Sequence, residues 1–138
     1  MVRPTGVNVL QSSGPIRLVP LRIPAGWMIG LNSLDEDLDA DMGRIGGSSL
    51  FHASNAGRRF SIDASYRPEF DPEGSFVLTV TYQPWPRTER GRRRKDVPFA
   101  FDDAAEVVHD FETRSYRDLL SELDRWIVRC TLWAREEN

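Results

Sequence analysis

Two runs of strict alternation stand out along the chain. Phe60, Ile62, Ala64 and Tyr66 are separated by Ser61, Asp63 and Ser65, while Phe76, Leu78, Val80 and Tyr82 are separated by Val77, Thr79 and Thr81. A period of two puts each apolar set on one face of a strand, so the pair predicts a β-hairpin. The joining stretch from Arg67 to Ser75 contains Asp71-Pro72-Glu73-Gly74. Proline supplies the preset φ of a type I turn, and glycine sits where the chain must leave it.

From Ser115 to about Arg135 the period lengthens. Leu119, Leu120, Leu123, Trp126, Ile127, Cys130 and Trp133 recur at intervals of three and four, forming one apolar stripe of an amphipathic helix. Ser115 is placed to cap it, and Asp118 lies near the positive end of the helix dipole. Asp118, Glu122, Arg125 and Arg129 are expected to project largely away from the stripe.

Elsewhere the pattern is weaker. Ile16, Leu18 and Leu21 to Ile23 form a β-like stretch interrupted by Pro20 and Pro24, which suits an edge. Trp27, Ile29 and Leu31 alternate with Met28, Gly30 and Asn32 and predict a strand, and Leu50 and Phe51 mark another short one. The connection 33–47 between them reads as a loop or short helix. Val97 to Phe101 and Val107 to Phe111 could each return as a strand, with a helix over Ala104 to Val108 as the alternative. The resulting fold class is α+β: a mainly antiparallel sheet with a central hairpin, covered by a C-terminal amphipathic helix. Residues 1–15 read as an irregular N-terminal arm and 16–138 as a single domain.

Composition supports one folded core. The 138 residues are 40% hydrophobic and 28% charged, outside the signature of disorder and of a size that buries roughly 68% of the unfolded surface. One cysteine, Cys130, excludes an intrachain disulfide and any multi-cysteine zinc site, and its spacing makes it a core residue. No stretch resembles a signal peptide or a membrane span, so a cytoplasmic protein without a membrane partner is expected. A net charge of -3 argues against a general polyanion binder, although the charge is unevenly distributed.

Candidate chemistry is sparse. The run Leu34-Asp35-Glu36-Asp37-Leu38-Asp39-Ala40-Asp41 suggests calcium, but an EF-hand loop begun at Asp37 puts Met42 at the glycine position and Ser48 at the bidentate glutamate. A loop begun at Asp35 fails likewise at Ala40 and Gly46. The bland reading is a solvated acidic segment; the sharper one is a surface for a cationic partner. Asp63, Glu69 and Asp71 could extend an acidic surface onto the hairpin, although strand-face and turn roles explain them equally. Arg87, Arg90, Arg92, Arg93, Arg94 and Lys95 crowd one loop that could hold phosphates, with Trp85 only preceding the run. His52 and His109 are the only histidines and have no metal-ligand spacing, no G-x-S-x-G elbow exists, and Gly43-Arg44-Ile45-Gly46-Gly47 lacks a phosphate-loop lysine. No catalytic residue, cofactor or metal is implied.

Three segments carry a resemblance. They are Arg22-Ile23-Pro24-Ala25-Gly26-Trp27 followed by Asn32, Ile62-Asp63-Ala64-Ser65-Tyr66-Arg67-Pro68-Glu69 with Asp71-Pro72 and Gly74-Ser75-Phe76, and Phe111-Glu112-Thr113-Arg114 with a helix ending near Trp126-Ile127. In this order they resemble bacterial immunity proteins that neutralise toxins of contact-dependent growth inhibition and related polymorphic toxin systems. The chain departs from that pattern in the glycine-rich segment between Gly43 and Gly57 and in the arginine loop Arg87 to Lys95. The matched residues look architectural, so the resemblance itself assigns none of them to binding, and Asp63 is a candidate only through its charge.

The resemblance implies a non-enzymatic antitoxin in the producer's cytoplasm, binding a cognate toxin C-terminal domain with no direct nucleic-acid contact. Such toxins are often nucleases, whose cationic grooves an acidic surface can occupy. The expected toxin-binding residues are Asp35, Glu36, Asp37, Asp39, Asp41 and Asp63. The alternative is a nucleic-acid-binding accessory domain using the Arg87 to Lys95 loop.

Overall fold

A computed structural model describes residues 17–36, 49–69 and 71–133. The expected irregular arm 1–15 and most of the connection 33–47 lie outside the described residues. Five strands, β1 (Met28–Asn32), β2 (Ser49–Asn55), β3 (Phe60–Arg67), β4 (Ser75–Tyr82) and β5 (Glu106–Thr113), precede one helix, α1 (Tyr116–Leu132). Neighbours in sequence are neighbours in space: the antiparallel sheet runs β1-β2-β3-β4-β5, and α1 packs on one face. This is the α+β arrangement that the alternation predicts.

The expected central hairpin forms, with a register that runs from Phe60 opposite Tyr82 to Tyr66 opposite Phe76. Its turn closes through the Gly74 N–H, which donates to the Asp71 carbonyl at 2.9 Å, while the Asp71 carboxylate accepts from the Glu73 N–H at 2.8 Å. The Tyr66 hydroxyl donates to the Asp71 carbonyl as well, tying the turn to the core. The Arg67-Pro68 peptide is cis.

One face of the sheet and one face of α1 share the core. Phe51, Ala53, Phe60, Ile62, Ala64, Tyr66, Phe76, Leu78 and Val80 are fully covered, and Leu119, Leu123, Trp126, Ile127 and Cys130 meet them from the helix. Burying each large apolar side chain is worth roughly 1.5–3 kcal/mol, which outweighs helix propensity in fixing α1 against the sheet. Ser115 caps the helix as predicted, its hydroxyl accepting from the Asp118 N–H at 3.1 Å. Trp27 joins the other end, donating its indole N–H to the Thr131 hydroxyl at 2.8 Å.

Several expectations need correction. The stretch around Leu18 makes only an isolated bridge to Asp35 rather than a strand, because Pro20 and Pro24 cannot donate to a ladder. In β1 the register shifts between Ile29 and Leu31, so these two residues do not share a partner face. Of the two possible returning segments, only the second forms a strand, and no helix spans Ala104 to Val108. Pro98 interrupts the first, whose Phe99 is used instead to cover an arginine. Glu122 does not project into solvent: it is 5% exposed, paired between strand and helix.

Candidate functional site

The alternation that buries one face of the sheet leaves the other face open. Register aligns His52 with Asp63, Asp63 with Thr79, and Thr79 with Asp110, a single row crossing β2 to β5. His52 Nδ1 stands 3.5 Å from Asp63 Oδ1, with about half of each side chain exposed. The Thr79 hydroxyl donates to Asp110 Oδ1 at 3.3 Å. The adjacent row sets Ser65 opposite Val77 and Val77 opposite Glu112. Asp110 and Glu112 are exposed and have no cationic partner among the described residues.

Strands lie about 4.8 Å apart, so carboxylates on β3 and β5 are separated by roughly 10 Å across the face. Small hydroxyl residues fill the ground between them: Ser61 and Ser65 on β3, Thr79 and Thr81 on β4. Exposed apolar side chains stand at both margins, with Met28 at 73% and Leu31 at 38% on the β1 side and Val107 at 62% on β5. The open face thus has an acidic centre, a low hydroxyl floor and apolar margins.

The expected acidic residues do not all belong to it. Asp63 lies in its centre. Asp35 and Glu36 lie on the helix side of the sheet, where the Asp35 carbonyl accepts from the Tyr116 hydroxyl at 2.9 Å and Glu36 pairs with Arg17 at 3.1 Å. The described residues therefore do not bring Asp35 and Glu36 together with Asp63. Asp37, Asp39 and Asp41 lie outside the described residues. Asp110 and Glu112 escaped the sequence reading because only long-range register shows which carboxylates share a face with Asp63.

A second titratable cluster lies under the helix. His109 Nε2 is 2.6 Å from Glu122 Oε2, and Arg125 pairs with the other carboxylate oxygen. Burial alone would raise the Glu122 pKa, but the hydrogen bonds from His109 and Arg125 outweigh it and hold the carboxyl below its usual range. The His109 ring stacks on Trp126 with centroids 4.4 Å apart, and the Arg129 guanidinium lies 4.8 Å from the Trp126 centroid. A carboxylate-oriented histidine is half of a general-base arrangement. The groove of about 460 Å³ between Leu21 and Leu120 is not lined by either residue. The cluster pins the edge strand β5 to α1.

Among the described residues, no group of three His, Cys, Asp or Glu side chains is arranged to hold a metal ion. No described helix is long and apolar enough to cross a membrane. Comparison with family models, with curated proteins and with solved structures finds no match to this chain.

Proposed function

We propose that this chain is an immunity protein that binds and neutralises a cognate bacterial toxin domain, without catalysis, through the open face of its sheet. The observation that carries the reading is the set of carboxylates Asp63, Asp110 and Glu112, presented across β3 and β5 between the exposed apolar residues Met28, Leu31 and Val107. Like charge on a low, open surface steers a cationic partner and excludes acidic ones, while the apolar margins supply area that loses water on docking. A toxin that handles nucleic acid has such a cationic groove, and inhibition then follows from occupying it.

The segments that carry the immunity-protein resemblance support the same reading from the other side. Asp71-Pro72-Glu73-Gly74 is the β3–β4 turn, and Phe111 to Arg114 leads from β5 into the helix cap. Most of these positions build the scaffold, while Asp63 and Glu112, which lie within the resembling segments, present their carboxylates on the open face.

The test is a triple variant, Asp63→Asn with Asp110→Asn and Glu112→Gln, measured for affinity to the toxin domain at two salt concentrations. Its affinity is expected to fall by more than about tenfold, with a weaker salt dependence than the unaltered chain. Unchanged affinity and unchanged salt dependence would place the contact elsewhere.

A further inference from the structure

The arginine-rich connection between β4 and β5 takes no part in the acidic face, and it is folded. Arg87 and Arg93 form an antiparallel bridge. The Thr88 N–H donates to the Arg92 carbonyl at 2.8 Å and the Arg94 N–H to the Pro86 carbonyl at 2.7 Å. Gly91, at a φ of 82°, supplies the left-handed residue that closes the tip. Residues 86–94 are thus a small hairpin.

Its base is fixed by a buried arginine. Arg59, 2% exposed, donates Nε to the Gln83 carbonyl at 3.1 Å and Nη2 to the Pro84 carbonyl at 3.2 Å. Its guanidinium lies 4.5 Å from the Trp85 centroid and 5.2 Å from that of Phe99. Gln83 and Asp102 close the neck with reciprocal bonds: the Gln83 amide donates to Asp102 Oδ1 at 2.9 Å, and Gln83 Oε1 accepts from the Asp102 N–H at 3.0 Å.

The cations divide by role. Arg87 donates to the Gly91 carbonyl at 2.8 Å, Arg93 lies 5.8 Å from the Trp85 centroid, and Arg94 pairs with Asp96 at 3.2 Å, so these three shape the hairpin. Arg90, Arg92 and Lys95 are exposed, and their side chains make no hydrogen bond or ion pair with a described residue. The β2–β3 turn lies at the same end of the sheet. Residues 56–59 and 83–105 together hold eight Arg and Lys against four Asp and Glu, in a chain whose net charge is -3. The molecule is electrically polarised, basic at this end.

We propose that this hairpin binds the phosphodiester backbone of a nucleic acid, through Arg90, Arg92 and Lys95, without reading base sequence. Guanidinium forks and an ammonium match phosphate oxygens, and each phosphate neutralised releases counterions. Trp85 is already covered by Arg59 and Arg93, so it offers no free ring for base stacking. Residues 87–95 contain no large apolar side chain, which leaves an acidic protein without the desolvated core that a specific interface requires. The inference is independent of the inhibitor reading and uses the opposite charge.

Fluorescence anisotropy of the whole chain with a labelled, mixed-sequence RNA oligonucleotide tests it. Three phosphate contacts on a single strand predict a log–log salt slope of about -2. The R90A/R92A/K95A variant is expected to bind at least about tenfold more weakly at low salt with a slope near zero. Its thermal unfolding should be unchanged, since the removed side chains are exposed and make no hydrogen bond or ion pair with a described residue, and Arg117→Ala on the helix should bind as the unaltered chain does. Polyglutamate should fail to displace the RNA. Absence of binding at low salt, full binding by the triple variant, or displacement by polyglutamate as effective as by unlabelled RNA would each overturn the proposal, the last by assigning the hairpin to acidic proteins.

Discussion

His109 Nε2 and Glu122 Oε2 stand 2.6 Å apart, joining the outermost strand β5 to the helix through a carboxylate that is almost wholly buried. The Trp126 ring stacks on the same imidazole, and Val108 and Phe111 of β5 pack against the core on either side of it.

The sign of its pH dependence follows from the Glu122 carboxyl. Its hydrogen bonds from His109 and Arg125 overcome burial and leave its folded pKa below the unfolded one. The ionised group therefore stabilises the fold above the unfolded carboxylate pKa, and that contribution is lost as pH falls through the folded value. Glu122→Gln is expected to cost about 1–3 kcal/mol near neutral pH. Denaturant titrations over a pH series should show the two proteins converging in acid; a gap independent of pH would contradict this role.

Gly74 is required by space. A Cβ there would meet the Arg67 carbonyl oxygen at 2.6 Å and the Tyr66 ring at 2.9 Å, and neither can withdraw without opening the turn. Gly74→Ala should destabilise the protein by about 1–3 kcal/mol, read as a lower urea midpoint. An unchanged midpoint would mean that the β3–β4 turn yields more easily than its bonding indicates.

Arg59 adopts a φ of 69° and still keeps a long side chain, because its guanidinium bonds two carbonyls and lies over two rings. Arg59→Ala should cost about 1–3 kcal/mol by leaving buried acceptors unpaired. Hydrogen exchange over residues 83–102 should accelerate more than exchange in β3. Equal acceleration throughout would show a global loss of stability instead of a released loop.

Cys130 is fully covered under the helix, and burial pushes its thiol pKa up to about 12. With so little thiolate in mildly alkaline solution, alkylation should be slow in the native protein and rapid once denaturant unfolds it. Fast native alkylation would place the helix C-terminus farther from the sheet.

Much of the scaffold was legible because its signals are local. Alternation from Phe60 and from Phe76 fixes two strands, Asp71-Pro72-Glu73-Gly74 fixes their turn, and Ser115 with the Leu119-to-Trp133 stripe fixes the helix. Charge alone places Glu122 on the solvent face, although it lies three residues after Leu119 and four before Trp126, inside the stripe. A charge at that spacing signals a buried partner, and His109 is it. The acidic surface was only partly legible, through Asp63. The alignment of Asp63 and Thr79 with Asp110 depends on pairings between strands far apart in sequence, including a shift near Val80 that local pattern does not encode.

Neutralisation of a toxin domain is the role proposed for the open sheet face of this chain. Its most direct test recovers the strongest partner from the native host and expresses it in cells with the unaltered chain, with the triple variant of Asp63, Asp110 and Glu112, or alone. The partner alone is expected to stop growth, the unaltered chain to restore it, and the triple variant to restore it poorly while remaining folded. A partner that is harmless alone, or one relieved equally by both forms, would contradict that role.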